Sequence, residues 1–148
     1  MAAVALFRAN VTLMVDSTLA GRAFPPTSAY AVTEANIAAF AQAVGTQWTP
    51  GDPAPATFPI VVAFAAMQDL MVDPTVGIKL HNVIHGQQKF VHARPVQAGD
   101  HLTAQLTVTG LRQIGGADII ATTSAITDAN GDLVCTAEAT LIHSGGTQ

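Results

Sequence analysis

Residues 57–72 read TFPIVVAFAAMQDLMV, and the fold turns on how this run is read. At helical spacing Ile60, Val61, Val62, Phe64, Met67, Leu70 and Met71, with the alanines between them, leave almost no polar face. That pattern predicts a helix from Ile60 to about Met71 that is buried on every side. Asp73-Pro74 ends it, because proline disfavours helical backbone in the residue before it. Thr57 is placed to cap the start with its hydroxyl, and Pro59 sits near the first turn, where a missing amide hydrogen costs nothing. The run is shorter than the ~20 residues a bilayer requires and contains Gln68 and Asp69, so it is a core helix and not a membrane span.

A helix without a polar face needs a surface around it, and the chain that follows supplies strands. Leu102, Ala104, Leu106 and Val108 alternate with Thr103, Gln105, Thr107 and Thr109, the period of a strand with one face on a core. Ile119–Thr127 and Leu133–Leu141 read the same way, and Asn130-Gly131 between them is a hairpin signal. Val83–Ala93 is a further strand, stopped by Arg94-Pro95. Upstream, Gly21–Tyr30 is an irregular entry marked by Pro25-Pro26. A short helix then starts at Thr33, sets Ile37, Phe40, Ala41 and Val44 on one apolar face at i, i+3, i+4, i+7 spacing, and stops at Gly45. Pro50, Gly51, Pro53 and Pro55 make 46–57 a loop. The order predicts an α+β protein, a single hot-dog fold in which an antiparallel sheet wraps the long buried helix.

The 148 residues make one domain, large enough to stay folded without disulfides or a structural metal. Charged residues are only 11% of the chain and hydrophobic ones 49%, so the surface is short of charge and an oligomer is expected. A net charge of -4 lacks the basic footprint of a nucleic-acid binder. The lone Cys135 offers no disulfide or zinc-ribbon framework, and the apolar start, broken by Arg8 and Asn10, is a poor signal peptide. The expectation is a cytoplasmic protein with no membrane segment.

Few residues announce chemistry. His81 and His85 have the HxxxH spacing, but they fall on a turn and a strand with no third ligand near, so no metal is expected. His85 and His92 lie seven positions apart and would point to opposite faces of an unbroken strand. His85 draws interest because Gly86 beside it allows close approach of a ligand. No GxSxG elbow surrounds a serine, Cys135 sits inside a strand, and Gly115-Gly116 joins strands instead of opening a phosphate-cradling helix, so no cofactor is expected. Trp48, Phe58, Phe64, Met67 and Phe90 fit equally an acyl tunnel or core filler.

Several stretches together resemble the MaoC-like dehydratase N-terminal domain family, the hot-dog subunits of mycobacterial-type (3R)-hydroxyacyl-ACP dehydratases. They are Phe24-Pro25-Pro26, the helix at 37–44, Ala56-Thr57-Phe58-Pro59, Val83–Phe90 with its HGQQKF, and Arg94–Asp100 with RPVQAGD. The resemblance runs from about Val15 to Ile142, making 1–13 an N-terminal extension and 14–148 the domain. It implies dimer formation through a shared sheet and binding of an acyl chain on CoA or acyl carrier protein. Trp48, Thr57, Phe58, His85, Gly86, Gln88 and Phe90 are the substrate-binding candidates it suggests.

Catalytic members of the wider hydratase group carry G-D-x-N-P-x-H, whose aspartate and histidine work as an acid/base pair. Here the corresponding stretch is Gly45-Thr46-Gln47-Trp48-Thr49-Pro50-Gly51, so threonine and glycine replace the pair. The resemblance therefore implies a non-catalytic, acyl-binding subunit paired with a catalytic MaoC-like hydratase chain. Two readings stand beside it: a self-sufficient homodimeric hydratase or thioesterase using Asp52 with His85, and a non-enzymatic acyl-ligand-binding module.

Overall fold

The computed structural model describes residues 14–145; the expected extension at 1–13 lies outside them. The elements are β1 (Tyr30–Ala31), α1 (Glu34–Val44), α2 (Ile60–Val72), a 3-10 turn (Leu80–Asn82), β2 (Val83–His92), β3 (His101–Ile114), β4 (Ala117–Thr127) and β5 (Leu133–Ser144). The strands form one antiparallel five-stranded sheet in the order β1-β3-β4-β5-β2. It curls round α2 as the half-barrel of a hot-dog fold, the architecture expected from the sequence.

The alternation in the strands decides which side of the sheet meets α2. Leu102, Ala104, Leu106 and Val108 of β3, Ile120 and Ile126 of β4, and Ala137, Ala139 and Leu141 of β5 are all buried on the helix side. α1 starts as expected, with the Thr33 hydroxyl accepting the Asn36 amide at 3.1 Å, and ends at Gly45 in the left-handed region with φ 73°. It lays Ile37 and Ala41 into the core, while Phe40 meets the fully buried Phe58 edge-on at 5.3 Å between ring centres.

Two expectations about α2 need correction. The helix is not buried all round: Val62, Ala63, Ala66, Met67 and Leu70 form one covered stripe, but Phe64 is 43% exposed and Val72 63%. A five-stranded half-barrel closes over only one side of a helix, so the apolar residues on its far side stay uncovered. Nor does the Thr57 hydroxyl cap the helix. Pro59 holds the N-cap position without a side-chain bond, and Thr57 instead takes the Ile60 amide on its carbonyl at 3.1 Å. That tight turn leaves its side chain exposed.

Polar pins hold the ends of the sheet. The buried Asp118 carboxylate of β4 accepts from the Val15 amide at 3.1 Å, Gln113 Nε2 at 2.9 Å and His143 Nδ1 at 2.9 Å. The Lys79 backbone amide donates to His143 Nε2 at 3.1 Å. An amide hydrogen can only be given, so Nε2 is the bare nitrogen, Nδ1 carries the hydrogen, and the imidazole is neutral. Every buried side-chain polar atom among the described residues has a partner. At the other end Arg94 reaches Asp100 at 2.9 Å and Asp128 at 3.1 Å, tying the exit of β2 to the β4–β5 hairpin.

Phe58→Ala should cost about 3–5 kcal/mol, because the aromatic cluster cannot collapse into the space left. Urea unfolding should show a lower midpoint with an unchanged slope. The Arg94 guanidinium holds the Asp128 carboxyl below its usual range. A carboxyl whose folded value is depressed stabilises the fold fully above the unfolded value of about 4. That contribution is lost as pH falls through the lower folded value. Urea midpoints measured from neutral pH downwards should therefore drop on the acid side, and Asp128→Asn should flatten that drop.

Candidate functional site

Pairing of β2 with β5 builds the most distinctive surface of the chain. His85 faces Leu141, whereas Gln87 faces Thr140, so Gly86 is an extra residue in the ladder, a β-bulge. Above it Gln88, Phe90 and His92 face Ala139, Ala137 and Cys135. Residues directly opposite one another share a face, and these β5 partners all lie on the buried side. His85, Gln88, Phe90 and His92 consequently all look toward α2. The expectation that His85 and His92 point to opposite faces is overturned, because it assumed an unbroken strand and the bulge restores the parity. A Cβ on Gly86 would stand 3.3 Å from the end of the Ile142 side chain at Cδ1, a contact that a shift of a few tenths of an ångström relieves.

Between α2 and β2 opens a groove of about 370 Å³. Its walls are Phe64, Met67, Met71, Leu80, Val83 and Leu141, and the polar side chains on it are Gln68 and His85. His85 Nε2 lies 3.1 Å from Gln88 Oε1, and Gln88 Nε2 donates to the Lys89 carbonyl at 3.4 Å. The half-buried Phe90 stands further along the strand, its ring 6.4 Å from that of His92.

The proline-rich loop closes the other end of β2. His92 Nε2 donates to the Ala56 carbonyl at 2.8 Å, and a second hollow of about 380 Å³ lies between Pro53–Ala56 and His92–Val96. Trp48 Nε1 donates to the Asp52 carbonyl at 3.1 Å, and the Asp52 carboxylate accepts the Thr49 amide at 3.2 Å. The loop bearing Asp52 thus docks at the His92 end of the strand, away from His85. The exposed Thr57 and the core residue Phe58 stand apart from the groove, Phe58 being wedged against Phe40 and Tyr30.

Within the chain the structure brings His85 and Gln88 together, with Gly86 between them and Phe90 beyond, and holds Trp48 and Asp52 in one turn. Sequence reasoning missed Gln68, Met71, Leu80 and Val83 on the groove; the one signal was the Gln68-Asp69 pair in an otherwise apolar helix. Burial pushes the Cys135 thiol up, away from a reactive thiolate. No group of three potential metal-binding side chains occurs among the described residues. No described helix is long and apolar enough to cross a membrane.

One helix in the hollow of a curled antiparallel sheet, with a groove along the edge strand, defines a hot-dog protein of the MaoC-like dehydratase type. The chain belongs to the family described as FAS1-like, dehydratase domain region, which it matches over residues 18–137. It is 40% identical over 144 residues to a UPF0336 protein of Leifsonia xyli, spanning 88% of this chain and 97% of that one. A UPF0336 protein of Streptomyces coelicolor is 35% identical over 143 residues, with 88% and 95% covered. Among solved structures, the HadBC (3R-hydroxyacyl-ACP dehydratase) complex of Mycobacterium tuberculosis superposes with a TM-score of 0.74 at 28% identity, covering 84% of this chain and 96% of that chain. HtdX of the same organism shares the fold, with a TM-score of 0.72 at 20% identity over 83% of this chain and 51% of that one.

If the bulge alone sets the parity, deleting Gly86 leaves a regular ladder in which His85 still opposes Leu141. Nuclear Overhauser contacts between the His85 ring and the Leu141 methyls should survive the deletion; their disappearance would show that Gly86 does more than add a residue.

Proposed function

We propose that this chain is the acyl-thioester-binding, non-catalytic subunit of a heteromeric (3R)-hydroxyacyl thioester dehydratase, acting with a catalytic MaoC-like hydratase chain. The observation that carries the reading is the segment 45–51, GTQWTPG, which, set against the G-D-x-N-P-x-H signature by the resemblance, has Thr46 and Gly51 in place of the acid/base pair. Threonine does not exchange protons near neutral pH and glycine has no side chain. Asp52, the nearest carboxylate in sequence, closes its own turn by accepting the Thr49 amide.

Dehydration of a 3-hydroxyacyl thioester removes a proton from C2 and takes the C3 hydroxyl away as water with a second proton, leaving a C2–C3 double bond. Both proton transfers require a positioned acid and base, which the partner supplies in this scheme. This chain contributes the apolar groove between α2 and β2, suited to an acyl chain delivered on CoA or on acyl carrier protein. The partner has a place to dock, since β2 is an edge strand with Ile84 61% exposed and Val91 51% exposed. The low charge content of the surface and the uncovered side of α2 favour the same arrangement.

Purified alone, the chain should hydrate crotonyl-CoA no faster than buffer, and co-expression with a hydratase chain carrying the G-D-x-N-P-x-H signature should yield a complex that turns the substrate over. Turnover by the chain alone that disappears in Asp52→Asn or His85→Phe would overturn the proposal in favour of a self-sufficient enzyme.

A further inference from the structure

We propose that His85, oriented by Gln88, reads a hydroxyl group on the chain lying in the groove, and so selects a hydroxyacyl chain over its saturated counterpart. The inference rests on the acyl-binding reading above and adds the specificity-determining residue to it. It starts from the walls of the groove, where His85 and Gln68 are set among Phe64, Met67, Met71 and Val83. A ligand with many amides or charges would leave most of its polar atoms unpaired against such walls. A bare hydrocarbon would instead strip water from the imidazole and return nothing to it. The matching ligand is an alkyl chain with an isolated hydrogen-bonding group.

Which kind of group is decided by the neighbours of the imidazole. Gln88 gives its amide hydrogen to the Lys89 carbonyl, which turns its Oε1 toward His85 Nε2. An amide oxygen only accepts, so Nε2 carries the hydrogen and, in the neutral ring, Nδ1 keeps its lone pair. No described residue donates to Nδ1. The ring therefore offers an acceptor, and its complement is a donor. A hydroxyl provides one, whereas saturated and enoyl chains have no O–H to give. Gln88 is a positioning residue that acts through the ring. The Gly86 bulge makes the arrangement available, since pairing Gly86 in register with β5 would turn His85 to the outer face of the sheet.

The test is calorimetric titration of the full chain with N-acetylcysteamine thioesters of 3-hydroxydodecanoic and dodecanoic acids. The hydroxy compound should bind about three- to tenfold more tightly, the worth of one neutral hydrogen bond. His85→Phe should erase the difference while leaving the affinity for the dodecanoyl compound in place. In Gln88→Leu the preference should narrow, and the imidazole nitrogen-15 signals of His85 should move from the Nε2–H pattern toward a tautomer mixture, which a purely structural role for Gln88 would not produce. Equal affinities in the unmodified chain, or a preference that survives His85→Phe, would overturn the role of His85 while the acyl-binding reading stands. Failure of both compounds to bind would overturn the two together.

Discussion

Close approach of α2 to the floor of the sheet is the contact from which the rest of the molecule follows. Ala63 and Ala66 on the helix and Ala104, Ala137 and Ala139 on the strands are all buried in one core with Met67, Leu70, Leu106 and Ile120. Small residues on both surfaces let the helix settle into the hollow, and the larger side chains fill the flanks. Because the sheet covers only one stripe of α2, the opposite side keeps Phe64 and Val72 in the open. The groove beside β2 is a direct product of that incomplete wrapping.

The polar pins act differently from the core and from one another. Arg94, Asp100 and Asp128 are within reach of water, and pairs of that kind add little to stability, so their role is to fix where the hairpin and the exit of β2 meet. Asp118 and His143 are wholly buried, and there the cost of removing one partner greatly exceeds the net gain from having both. Together they stitch the segment at Val15, the turn at Lys79 and three strands into one corner. That corner carries the chain into Leu80 and Val83, on the wall of the groove.

Much of this was legible in the sequence because local rules suffice for it. The α2 run, the Thr33 and Gly45 caps, the Asn130-Gly131 hairpin and the alternation from Leu102 each carry their own signal. What escaped depends on partners distant in the chain. The parity of His85 is settled by which β5 residue lies across from it, and nothing in HGQQKF marks Gly86 as the extra residue. The exposure of Phe64 depends on how many strands surround the helix, and the two-residue β1 exists only because Tyr30 and Ala31 reach Leu102 and His101. The sequence drew the eye to the HGQQKF stretch through His85 and Gly86, but the groove on which His85 lies belongs to α2 and β2 jointly.

The position of β2 at the rim of the sheet has a consequence for how such a protein must be produced. Ten consecutive residues there leave one row of main-chain donors and acceptors without neighbours among the described residues, flanked by Ile84 and Val91, and Lys89 is the one cationic side chain along the strand. An unmated rim of that kind is sticky toward any extended segment it meets. Left bare at high concentration, it would draw copies of the chain together, so the yield of dispersed protein falls as expression becomes denser.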